Sequence, residues 1–149
     1  MASKKLLDKT YMQIARDISL LSKCVRTKVG AIIVKDNNVL SFGYNGTPSG
    51  MDNKCELNNK TLWYVLHAES NAIVKVAKST QSSEGSVLYT TLSPCDECSK
   101  LIMQAGIKRV VFSEMYSGSK NGLNMLIRNN IDVLQLKHEA YYKLNTKIN

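Results

Sequence analysis

Apolar positions recur along this chain in two alternating rhythms. In "LLDKTYMQIARDISLLSKC", Leu7, Tyr11, Ile14, Ala15, Ile18 and Leu21 share one face of a helix, with Asp8 or Thr10 as its cap. Val29 to Val34 is then a nearly continuous apolar run, "DNN" offers a turn, and "VLSFGY" follows as a second short strand, which predicts a hairpin. "NGTPSGMDNKCELNNK" is polar and without period, a long loop of the kind that carries function. Helical spacing returns in "TLWYVLHAESNAIVKVAKS", with Leu66, Ala68, Ala72, Ile73, Val76 and Ala77 on one side.

The second half repeats the alternation. "GSVLYTTL" predicts a strand, "CDECSKLIMQAG" a helix opened by Pro94 and closed by Gly106, and "IKRVVFS" a strand. "NGLNMLIRNN" is a short helix, "IDVLQL" a last strand with alternating inward residues, and the tail from Lys137 a final helix. Strands alternating with helices imply an α/β fold with a mostly parallel sheet, to which the opening hairpin adds an antiparallel pair. No internal repeat, linker or low-complexity tract divides the chain, so residues 1–149 are expected to form one domain.

Composition narrows the function. The 20 Lys+Arg against 12 Asp+Glu give a net charge of +8, which favours an anionic partner, either nucleic acid or a phosphorylated small molecule. No apolar run approaches 18 residues, and "MASKKLLDKT" lacks the apolar stretch of a secretory signal. Four cysteines, two of them in one C-x-x-C, then point to reduced thiols in the cytoplasm rather than a disulfide scaffold.

The C-x-x-C in "TLSPCDECSK" admits a redox couple, half of a structural zinc site, or half of a catalytic one. A thioredoxin-like couple would follow the first strand of a βαβ unit and would need no histidine or acid. Here His67 stands at the start of the preceding helix, and with Cys95 and Cys98 it makes three ligands suited to Zn²⁺. Three protein ligands leave the fourth tetrahedral position open, the mark of a catalytic ion. Helix N-termini favour thiolate, and residues i and i+3 share a helix face. Glu69, two residues after His67, is placed to carry protons beside the ion. H-x-E followed by P-C-x-x-C is the known signature of zinc nucleobase deaminases.

On these residues the chain resembles the zinc-dependent cytidine deaminase superfamily, through "HAESNAI" and "LYTTLSPCDECSKLIMQAGIKRVVF". "SKCVRTKVGAIIVKDNNVLSFGYNGTP" resembles the deoxycytidylate (dCMP) deaminases in particular. The resemblance implies a three-layer α/β/α fold with a five-stranded mixed sheet flanked by helices. It implies hydrolysis of dCMP to dUMP and ammonia, feeding thymidylate synthesis, with one catalytic Zn²⁺ on His67, Cys95 and Cys98 and with Glu69 as the proton shuttle. By the same resemblance Asn45 binds the sugar hydroxyl, the Ala68 backbone contacts the base and Tyr116 lies near the nucleotide. Arg26, and after it Lys120, are the candidates for the 5′-phosphate. The family further implies a homohexamer activated by dCTP and inhibited by dTTP, with Mg²⁺ on the triphosphate and Gly43, Tyr44, Asn45 and Gly46 at the effector site.

Two departures from the family stand out. Cys24 and Cys55 match cysteines that hold a second, structural zinc in some phage relatives, but the insertion carrying the other ligands is absent, so two free buried thiols are expected. The loop between Asn53 and His67 is short and supplies less of a lid. The competing readings are a tRNA adenosine deaminase, a free cytidine deaminase, and a non-catalytic zinc module that binds nucleic acid. "GYNGTP" and the R-x-x-V-G-A motif favour the nucleotide branch, and Glu69 has no use in a purely structural site. A nucleic-acid partner and a membrane are therefore not expected.

Overall fold

The computed structural model describes residues 2–138, so the helix expected in the tail lies, beyond His138, outside the described residues. The element order is α1 (Lys4–Ser19), β1 (Gly30–Lys35), β2 (Asn38–Tyr44), β3 (Glu56–Leu57), β4 (Lys60–Thr61), α2 (Ala68–Ala77), β5 (Val87–Leu92), α3 (Asp96–Gln104), β6 (Arg109–Glu114), α4 (Asn121–Arg128) and β7 (Asp132–Gln135). No helix among the described residues is long and apolar enough to cross a membrane.

Five strands form one mixed sheet in the order β2-β1-β5-β6-β7. β5, β6 and β7 run parallel, while β1 is antiparallel both to β2 and to β5. The sheet is thus less parallel than the strand–helix alternation implies, because the chain enters β1 from the end at which β5 leaves.

Strand alternation sends successive side chains to opposite faces. Ala31, Ile33, Leu88 and Val110 pack with Ala72 and Val76 of α2, Ile102 of α3 and Leu126 of α4. Ile32, Val34, Tyr89 and Val111 pack against Met12 and Ala15 of α1. The result is three layers, with α1 on one face and α2, α3 and α4 on the other. Each fully buried Ile or Leu in these layers contributes about 1.5–3 kcal/mol.

The local signals work where backbone chemistry is explicit. Asp36 and Asn37 turn the β1–β2 hairpin with φ of 50° and 59°, a left-handed pair that Asn and Asp tolerate. Gly106 takes φ 74° just beyond α3, as the stop signal requires. Four readings change. α1 starts at Lys4 under a Ser3 cap that accepts from the Leu6 N–H at 3.2 Å, so neither Asp8 nor Thr10 caps it. The long loop contains a small hairpin, β3–β4, turned by Asn58 and Asn59 at φ 53° and 61°. α2 begins only after His67, because Leu66 is held in extended backbone by a bridge to Gly46. In β7 only Val133 is half-buried, since the strand is the sheet's edge.

Candidate metal centre and active-site cleft

Two helix N-termini meet beside the carboxyl end of β5. His67 is the N-cap of α2 and Cys95 the N-cap of α3, with Cys98 one turn further on. His67 Nδ1 lies 3.4 Å from Cys95 Sγ and 3.4 Å from Cys98 Sγ. The candidate ligand atoms all lie within 4.8 Å of one another. Around a tetrahedral zinc with the usual bond lengths, the N···S edge is about 3.5 Å, so the spacing and the donor chemistry both fit that ion. The Cys98 N–H points at Cys95 Sγ at 3.5 Å, which favours thiolate there. The Cys98 hydrogen bond holds the Cys95 thiol far below its ordinary value, helped against burial by His67, while that same bond and burial push Cys98 up.

Glu69, on the first turn of α2, is buried to 4% exposure. Burial pushes its carboxyl above the usual carboxylate range. Its Oε1 lies 3.3 Å from the Thr90 hydroxyl of β5. A carboxyl group with its pKa raised by burial, set beside a three-ligand tripod, can take and return a proton.

A cleft of about 500 Å³ opens onto this centre. Of the residues picked out above, His67, Glu69 and Cys95 line it, as do Arg26, Asn45, Ala68 and Tyr116. Lys120 does not: it stands exposed at the N-terminus of α4. Asn45 Oδ1 accepts from the Val29 N–H at 2.8 Å and its Nδ2 donates to Thr27 O at 2.7 Å. Two of the amide's four hydrogen-bonding positions therefore hold the start of β1, and two remain for a ligand. Tyr116 is fixed by its N–H, which donates to Ser93 Oγ at 2.7 Å, on the strap leading to Cys95. Arg26 reaches across the cleft rim to Thr61 Oγ1 at 3.1 Å.

The wall at that rim corrects the cysteine reading. Cys24 and Cys55 are buried, as expected, but a disulfide joins them across 31 residues. They are therefore neither free nor reduced. Glu56 folds the two segments together, its Oε1 accepting from the N–H groups of Val25 at 2.9 Å and Arg26 at 3.1 Å. That brings Cys55 onto Cys24.

A second cavity of about 300 Å³ is lined by Tyr44, Asn45 and Gly46, by the loop Thr47 to Met51, and by Lys23. Gly43 is absent from it. A Cβ there would overlap Ala68 O and come within 2.6 Å of Ala72 N, so this glycine lets α2 lie against β2 rather than admitting a ligand. Sequence reasoning missed Glu56, Thr61, Thr90 and Ser93. The paired asparagines at 58 and 59 were a hairpin signal for the first two, whereas nothing local marks the others.

The family model for the cytidine and deoxycytidylate deaminase zinc-binding region matches residues 6–114. The deoxycytidylate deaminase of Enterobacteria phage T4 is 33% identical, over 91% of this chain and 93% of its own length. That of Enterobacteria phage T2 is 34% identical, over 80% and 86%. The crystal structure of dCMP deaminase from the cyanophage S-TIM5 in complex with dCMP and dUMP is similar at a TM-score of 0.86 and 44% identity, covering 91% of this chain and 100% of that one.

Proposed function

The chain belongs to the cytidine and deoxycytidylate deaminase family, and on that footing we propose that it hydrolyses dCMP to dUMP with release of ammonia. One observation carries the reading: Glu69 is buried beside the His67, Cys95 and Cys98 tripod, in the wall of a cleft with room for a nucleotide. A purely structural metal site would leave that carboxyl without a purpose.

Zn²⁺ held by the three ligands supplies the Lewis acidity that makes water nucleophilic near neutral pH. The remaining work falls to side chains and backbone of this chain. Glu69 takes a proton from the attacking water, delivers it to N3 of the cytosine ring, and carries a further proton to the departing amino group. The balance is dCMP plus water giving dUMP plus ammonia. The Ala68 backbone meets the base, Tyr116 packs beside it, and the free positions of the Asn45 amide take a sugar hydroxyl. Arg26, at the rim, is the residue we assign to the 5′-phosphate, ahead of Lys120, which stands outside the cleft.

The second cavity supports regulation by a nucleotide triphosphate, dCTP activating and dTTP inhibiting, with Mg²⁺ on the phosphates. Lys23 supplies a cation, and Tyr44, Asn45 and Gly46 supply a wall that Asn45 shares with the first cleft. A hexamer acting in the cytoplasm and supplying dUMP for thymidylate synthesis completes the reading. Ammonia release from dCMP, deoxycytidine and an anticodon stem-loop, measured side by side with and without dCTP and dTTP, tests all of it. Deamination of the RNA alone overturns the substrate, and rates that ignore both triphosphates remove the regulation.

A further inference from the structure

We propose that Thr90 is a positioning residue for Glu69: its hydroxyl fixes the carboxyl group in the orientation that proton transfer to the base requires. This deepens, and rests on, the deaminase reading above. Thr90 lies on β5, paired with Ala31 on one side and Phe112 on the other, and is completely buried. By strand alternation it shares a face with Leu88, which packs in the apolar layer beneath α2 and α3. A hydroxyl in such a layer is costly unless it is hydrogen-bonded.

It has two partners. Oγ1 lies 2.9 Å from Leu92 O and 3.3 Å from Glu69 Oε1. A hydroxyl carries one proton and two lone pairs. Donating to Leu92 turns a lone pair toward the carboxyl group, and donating to Glu69 turns the proton toward it. Rotation about Cβ–Oγ alone therefore lets Thr90 hold Glu69 whether or not it carries the shuttled proton. Leu92 and Ser93 line the cleft and lead through Pro94 to Cys95. The same hydroxyl thus lies within reach of both the proton carrier and the segment that presents a metal ligand. Valine has the shape of threonine and neither bond.

The test compares the zinc-loaded parent with Thr90→Val and Thr90→Ser, reading kcat and KM for dCMP, zinc content and melting temperature. Thr90→Val is expected to keep its zinc and its KM to within about twofold while kcat falls about tenfold or more. Thr90→Ser, which keeps the hydroxyl, is expected to restore kcat to within about threefold of the parent. An unchanged kcat in Thr90→Val overturns the proposal. Equal losses in both variants also overturn it, since Thr90→Ser keeps the hydroxyl and the effect would then belong to altered packing around β5 rather than to the lost bond. So does a fall in kcat that vanishes when activity is expressed per bound zinc. A parent inactive on dCMP but active on deoxycytidine or RNA refutes the substrate reading instead, and the same three-way comparison is then made on that substrate.

Discussion

Asp8 and Arg109, 101 residues apart in the chain, meet in a buried two-pronged ion pair with contacts of 2.7 and 2.8 Å. The Tyr89 hydroxyl donates to the same carboxylate at 2.7 Å, and Arg109 reaches Asp132 at 2.9 Å. This network fastens α1 to β5, β6 and β7. Burial alone would raise the Asp8 pKa, but Arg109 and Tyr89 together bring it below the ordinary carboxylate value. A depressed folded-state pKa contributes stability that is present above the unfolded value, near pH 4, and is lost as pH falls through the folded value. Acid titration followed by circular dichroism should show this loss below about pH 4. Asp8→Ala, which takes the buried carboxylate from Arg109 and leaves it the exposed Asp132, should cost up to roughly 3–5 kcal/mol by denaturant melts.

Glu69→Ala removes the proton carrier and leaves the three metal ligands in place. Zinc content should stay at one ion per chain while kcat on dCMP falls by roughly 10²–10⁴-fold or more. Atomic absorption and an ammonia assay on the same preparation decide it; loss of zinc in step with activity would make Glu69 a structural support instead.

The Arg26 side chain donates to Thr61 Oγ1 at the cleft rim. If it binds the 5′-phosphate, Arg26→Ala should raise KM for dCMP about tenfold or more and leave deoxycytidine nearly unaffected. Steady-state kinetics on the two substrates separates this from a general weakening of the wall, which would affect both equally.

The Cys24–Cys55 disulfide closes a loop of 31 residues. By loop-closure entropy its reduction should cost about 3–4 kcal/mol of stability. Thiol titration of the denatured, unreduced chain after chelation should count two free thiols, those of Cys95 and Cys98. Four thiols, or two zinc ions per chain, would contradict the bond.

The zinc tripod and its helices were legible because short motifs coincide there with strong periodicity. Pro94 and Gly106 bracket α3, and the apolar runs on either side of it form the buried parallel strands. The β3–β4 hairpin was not legible: its strands are two residues long and polar, so no alternation announces them. The resemblance puts Gly43 at the effector site, whereas its neighbour is the backbone of α2, a contact no local pattern encodes. Thr90 and Glu69 are 21 residues apart, and only the folded sheet makes them neighbours. Asp8 did leave a trace, since it falls one turn before Met12 on the buried face of α1, where an acid needs a partner.

The antiparallel set of β1 against β5 has a wider consequence. Because β1 starts where β5 ends, the residues before β1 and after β2 arrive at the same mouth as Cys95. Were β1 parallel to β5, Arg26 and Asn45 would open onto the opposite end of the sheet from Glu69. The reversal sorts the mouth along the chain: one part of the cleft wall comes from residues 24–61, the candidate metal ligands come from residues 67–98, and Tyr116 adds to the wall beyond both. A substitution in the first stretch can therefore reshape the cleft wall while the three candidate metal ligands stay in place.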